Sequence, residues 1–154
     1  RPTRLLRMTG APSGTEIVES ASADETEALG ARIAERLRPG DVVLLSGDLG
    51  AGKTTLIRGA CRALGVSGPV TSPTFTIGHR YEGGRLAVSH LDLYRLETLE
   101  GEDPALLDDY LGPDAVAFVE WPGAGEGRLG HPALEVRLAH EGEERRRIEV
   151  DWTG

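Results

Sequence analysis

Two stretches of the chain, Val42 to Leu45 and Ala115 to Val119, are apolar at every position. A run without alternation predicts a strand buried on both faces, as in the middle of a parallel sheet. Elsewhere the pattern alternates. Leu134 to His140 and Arg145 to Trp152 flank the turn Glu141, Gly142, Glu143, Glu144. Phe75 to Tyr81 and Arg85 to Leu91 flank Glu82, Gly83, Gly84, so each pair predicts a β-hairpin. Helical spacing occurs in three places. Leu29, Ile33, Ala34 and Leu37 follow a capping box made by Ser22 and Glu25 and stop at Pro39 and Gly40. Leu56, Ile57, Ala60, Cys61 and Leu64 share a face and stop at Gly65. The acidic stretch 96–112 carries Leu99, Leu106, Leu107, Tyr110 and Leu111 and stops at Gly112 and Pro113. Glu16 to Glu19 predicts a short edge strand, and residues 1–15 lack periodicity and are expected to be loosely ordered.

The first apolar run leads directly into Gly47, Asp48, Leu49, Gly50, Ala51, Gly52, Lys53, Thr54, which fits G-x-x-x-x-G-K-[ST]. A helical pattern follows at once, so strand, glycine-rich turn and helix N-terminus occur in the order that a phosphate cradle needs. In such a loop Gly50, Ala51 and Gly52 offer backbone N–H groups to an anion. Lys53 reaches the β- and γ-phosphates, Thr54 offers a hydroxyl to Mg²⁺, and Thr55 is placed for the α-phosphate. Lys53 is the only lysine beside sixteen arginines. The chain therefore uses a compact ammonium at the one place where it must fit among phosphates. The predicted architecture is a single α/β domain over 16–154, a P-loop NTPase-like, mainly parallel sheet with flanking helices and two β-hairpins.

Charge and composition narrow the partners. With 154 residues, 39% of them apolar, one domain with its own core is expected. A formal net charge of −8 argues against a broad nucleic-acid surface, so any nucleic acid is met through a partner. Cys61 is the only cysteine, which excludes an intramolecular disulfide and fits a reducing compartment. No apolar stretch approaches the roughly 20 residues of a membrane span, and the expected location is cytoplasmic.

A phosphate loop with Mg²⁺ also needs a carboxylate from a neighbouring strand end. Two positions qualify: Asp92, at the end of LAVSHLDLYR, and Glu120, which closes the second apolar run and is the better candidate. Ser22 and Thr26, at the start of the first helix, are candidate base or ribose contacts or else plain capping residues. The hydroxyl-rich Thr71 to Thr74 is either a γ-phosphate sensor or a turn. One of Arg145, Arg146 and Arg147 could face the nucleotide. The four histidines lack metal-ligand spacing and receive no catalytic role, although His90 stands two residues before Asp92.

Four motifs together, GDLGAGKTT at 47–55, SPTF at 72–75, H-x-D-x-Y-R at 90–95 and Glu120-Trp121-Pro122, resemble the TsaE (YjeE) family over roughly residues 20–150. The resemblance implies a small Mg²⁺-dependent ATPase that serves threonylcarbamoyladenosine formation at position 37 of tRNA. It also implies TsaD and TsaB as partners, with tRNA met indirectly through their complex and no membrane involved. By position it assigns phosphate binding to Gly50 through Thr55, Mg²⁺ to Thr54 and Glu120, hydrolysis or switching to Asp92, and a switch-like loop to SPTF. Lys53, Asp92 and Glu120 are thus the expected catalytic set. A small-molecule or nucleoside kinase is the alternative, though the short chain shows no clear lid. A GTPase is disfavoured because its base-reading N/T-K-x-D segment needs a second lysine.

Overall fold

The structure, a computed structural model, describes residues 13–47, 51–71, 78–82, 84–92, 110–120 and 132–153. Along them run β1 (Ser13–Ser20), α1 (Ala23–Ala34), β2 (Val42–Gly47), α2 (Lys53–Ala63) and β3 (Gly78–Tyr81). Then come β4 (Ala87–Asp92), β5 (Ala115–Glu120), β6 (Leu134–His140) and β7 (Arg146–Thr153). The strands form one sheet in the order β1-β7-β6-β2-β5-β4-β3. Its centre, β6-β2-β5-β4, is parallel, and antiparallel pairing adds β3 at one edge and β7 with β1 at the other.

The unbroken apolar runs are the two central strands, as their pattern requires. β5 is buried at all positions and β2 at its first four. Alternate residues divide the core between two faces. Val43, Leu45, Val116 and Phe118 meet the apolar sides of α1 and α2, including Leu29, Ile33, Leu56 and Ile57. Val42, Leu44, Ala117 and Val119 face the other way, against Leu91, Tyr110 and Leu111. Both described helices therefore lie on one face of the sheet.

The helices approach each other backbone to backbone. A Cβ on Gly30 of α1 would strike the Leu56 carbonyl oxygen, and one on Gly59 of α2 would strike the Glu27 carbonyl oxygen. Two glycines, facing across the helix pair, set this separation.

The hairpin expectations agree with the pairing of β3 with β4 and of β6 with β7. β1 begins at Ser13 rather than Glu16 and pairs with β7 from Ser13↔Thr153 onward, so residues 13–15 are strand and not loose chain. The expected helix at 96–112 falls mostly outside the described residues, as do Gly50, the SPTF loop, Arg95 and Trp121 to Gly123. No helix among the described residues is long and apolar enough to cross a membrane.

Candidate nucleotide site

The C-terminal ends of the parallel strands are where ligands bind in open α/β sheets, and β2 ends there at Gly47. Its φ is +147°, and a side chain at this position would run into the Leu138 carbonyl oxygen of neighbouring β6. Glycine is needed there to let the chain leave the sheet. At the other end of the loop Gly52 is the N-cap of α2, with φ +104° and no side chain to cap the helix. The contrast with α1 is informative. There Ser22 Oγ accepts from the Glu25 N–H, Glu25 Oε1 accepts from the Ala21 N–H, and Asp24 adds a second acid. The first turn of α2 has no acid and no side-chain cap, which leaves its positive dipole end to an external anion.

Lys53 opens α2 and is 5% exposed. Its Nζ donates to the Gly47 carbonyl oxygen at 2.6 Å, closing the loop across its base. Thr54 and Thr55 are the next residues of the helix and are partly exposed, while Ala51 is buried.

The two candidate acids come together in the sheet. Asp92 of β4 and Glu120 of β5 are direct register partners, and Glu120 is also aligned with Leu45 of β2. Their strands place both side chains on the helix-bearing face, in step with Val88 and Phe118. Adjacent carboxylates repel unless a cation or proton lies with them. The two carboxylates are hard oxygen donors, and the hydroxyl of Thr54 at the start of α2 is of the same kind; donors of this kind suit Mg²⁺, which keeps several of its own waters. The residues present fit that ion.

Sequence reasoning gave His90 no part, yet its Nε2 lies 2.5 Å from Glu120 Oε2 inside the sheet edge. His90 is fully buried, Glu120 nearly so, and the other ring nitrogen, Nδ1, has no hydrogen-bond partner among the described residues. An ionised carboxylate only accepts, so in that form Glu120 takes its hydrogen bond from the Nε2–H of His90. The signal was period two: His90 and Asp92 share a strand face, and the next strand ends in Glu120.

The remaining candidates separate. Ser22 serves as the helix cap. Thr26 is buried, its Oγ1 2.7 Å from Ser20 Oγ, which itself donates to the Ser22 carbonyl oxygen; Thr26 therefore donates to Ser20. Its methyl faces the loop, 3.7 Å from where a Cβ on Gly52 would stand. Of the three adjacent arginines, Arg146 reaches the loop, donating from Nε to the Ala51 carbonyl oxygen at 3.1 Å. Arg147 lies toward Glu19 at the sheet edge.

Residues 20–148 match the family model described as "Threonylcarbamoyl adenosine biosynthesis protein TsaE". The chain belongs to the TsaE family. The TsaE protein of Bacillus subtilis is 40% identical over 131 residues, covering 85% of this chain and 82% of that protein. The Mycobacterium bovis TsaE protein is 41% identical over 150 residues, 90% of this chain and 84% of its own length. The crystal structure of Bacillus subtilis YdiB superimposes with a TM-score of 0.77 at 32% identity, covering 94% of this chain and 90% of that one. The TsaE match takes in Lys53, Asp92, Glu120 and the arginine-bearing start of β7.

Proposed function

We propose that the chain binds ATP with Mg²⁺ at the loop between β2 and α2 and hydrolyses it in the service of the TsaD–TsaB complex that forms threonylcarbamoyladenosine at position 37 of tRNA. The observation that carries this reading is the convergence of Lys53, anchored on Gly47, with the Asp92 and Glu120 pair at one end of one sheet. An ammonium has three donors, so an anchor on Gly47 is compatible with a second contact to a β- or γ-phosphate. The N-terminal peptides of α2 and the loop backbone hold the phosphates by their N–H groups.

Thr54 and Glu120 would hold Mg²⁺, which when bound neutralises charge on the phosphate oxygens. Hydrolysis forms a bond from a water oxygen to the γ-phosphorus and breaks the bond from that phosphorus to the β–γ bridging oxygen, with ADP leaving. Asp92, the register partner of Glu120, would orient that water and accept its proton. His90 holds the Glu120 carboxylate in one rotamer through Nε2.

Calorimetric titration with ADP and ATP, with and without Mg²⁺, tests the binding step. Phosphate release measured with and without purified TsaD and TsaB tests the rest. Saturable Mg²⁺-dependent binding and partner-stimulated release are expected. ATP binding without stimulation, joined to transfer of phosphate to a small acceptor, would favour the kinase alternative.

A further inference from the structure

We infer that Arg146 is a positioning residue of the phosphate loop, a cation supplied from the C-terminal hairpin that holds the Ala51–Gly52 peptide for the nucleotide. The inference rests on the nucleotide reading above and deepens it.

The guanidinium spans two segments that are far apart in sequence. Nε donates to the Ala51 carbonyl oxygen at 3.1 Å, while Nη1 donates to the carbonyl oxygens of Glu143 and Arg145 at 2.8 and 2.9 Å. The hairpin turn is shaped for this. Glu143 has φ +45°, the only positive value at a non-glycine among the described residues, and its carbonyl is one of the two that Nη1 takes. Such a conformation is unfavourable for a residue with a side chain and persists where neighbouring contacts hold it. The turn is closed by Glu141 N–H to Arg145 O and Arg145 N–H to Gly142 O. It is tied to α1 by the Ala23 N–H, which donates to Glu144 Oε1 at 3.4 Å. In the sheet Arg146 is the register partner of Ser20, whose hydroxyl engages Thr26.

The consequence for the loop follows from peptide geometry. In a planar trans peptide the C=O and the N–H point in opposite directions. A cation on the Ala51 oxygen therefore leaves the Gly52 N–H directed away from the arginine, and by polarising the peptide makes that N–H a stronger donor. Gly52, with φ +104° and no side chain, depends on outside contacts to fix this peptide plane. Leu138, Thr26 and Arg146 line the space beside it, and of these only Arg146 holds the Ala51 oxygen. With Nε and Nη1 engaged with backbone on both segments, Arg146 acts by setting the loop. A lysine lacks the planar fork by which Nε and Nη1 meet the two segments here.

The test compares Arg146→Gln, Arg146→Lys, Lys53→Ala and a control, Arg137→Gln, in the full chain. Arg137 lies on the same hairpin but, among the described residues, pairs with Glu135, Glu149 and Asp151 at 3.4 to 3.5 Å. The readouts are the calorimetric Kd for Mg·ADP, KM and kcat for hydrolysis, and Tm. Arg146→Gln is expected to raise Kd and KM about tenfold, the scale of one charge-assisted hydrogen bond, with kcat nearly unchanged. Arg137→Gln should lower Tm without changing Kd. Arg146→Lys should fold and bind as weakly as Arg146→Gln; native affinity in it would mean that charge alone suffices and would overturn the inference. Native affinity in Arg146→Gln, or equal weakening in Arg137→Gln, would overturn it too. Native affinity in Lys53→Ala would instead remove the nucleotide reading itself, whatever Arg146 does.

Discussion

Nε2 of His90 and Oε2 of Glu120 stand 2.5 Å apart, with both side chains buried where β4 and β5 end side by side. A buried carboxylate is stable only when its oxygens are satisfied, and the imidazole meets that demand from one strand over. The pair thus joins local pattern to site geometry. Replacing His90 by Leu removes the donor and leaves the carboxylate short of a partner, at a cost of about 1–3 kcal/mol in stability. His90→Gln can return an N–H near the Nε2 position. We predict that His90→Leu lowers both Tm and the Mg²⁺-dependence of nucleotide binding, and that His90→Gln recovers more of the latter. Equal Mg²⁺-dependence in Leu, Gln and unaltered chains, read by calorimetry, would show that His90 does not orient Glu120.

Lys53 is held within 2.6 Å of the Gly47 carbonyl and is almost without exposure. Lys53→Ala removes the ammonium and is predicted to weaken Mg·ADP binding by at least about tenfold, or 1.4 kcal/mol. Lys53→Arg should not rescue it, because a planar guanidinium is larger and cannot donate to Gly47 and a phosphate from one point. A tight Kd in the arginine variant would contradict the packing reason for a lone lysine in an arginine-rich chain.

Much of this site was legible from residue order because its parts depend on local chemistry. The two apolar runs foretold the central strands, the glycines and Lys53 marked where β2 ends and α2 begins, and the capping box foretold where α1 begins. Glu120 and Asp92 could be named as candidates, and as residues at strand ends, because strand ends carry position in a way that sequence displays. What was not legible depends on contacts between distant segments. His90 became significant only when register set β4 against β5, and three adjacent arginines could be told apart only when β7 was threaded beside β1 and β6. The N-terminal extension of β1 to Ser13 was missed for the same reason. Ser13 and Gly14 carry no strand preference that would extend the run from Thr15, and the pairing comes from β7.

The glycine pair between α1 and α2 yields a stability prediction with a functional edge. A methyl on Gly59 would overlap the Glu27 carbonyl, and one on Gly30 would overlap the Leu56 carbonyl, so neither fits without moving a helix backbone. Overpacking of this kind costs about 1–3 kcal/mol. Ordinarily Gly→Ala in a helix stabilises by up to about 1 kcal/mol, so the sign of the change decides the matter. Gly59→Ala and Gly30→Ala should both lower the urea midpoint. Since α2 carries Lys53 and Thr54 at its first turn, the shift should also weaken nucleotide binding. A raised midpoint in either variant would mean that the helices are not in this close contact.

Cys61 lies fully inside the core on α2, and burial pushes its thiol from 9.0 up to about 12. The thiolate is the reactive form, so Cys61 should resist iodoacetamide at pH 8 in the native chain and react only as fast as the protein opens. The same shift makes stability depend on pH in a definite direction. Above pH 9 the unfolded chain releases the thiol proton while the folded chain keeps it until about 12. With fewer protons bound in the unfolded state, stability falls as pH rises, by about 1.4 kcal/mol per pH unit across that window. Tyr81, raised by burial as well, contributes in the same sense. The thiol's share is isolated by comparing urea midpoints of the native chain and Cys61→Ala between pH 8 and 11. The alanine variant should start lower, through its lost packing, and then lose stability less steeply. Parallel slopes would mean that the Cys61 thiol ionises in the folded chain as readily as in the unfolded one, and that the packing of α2 against the sheet is open to water.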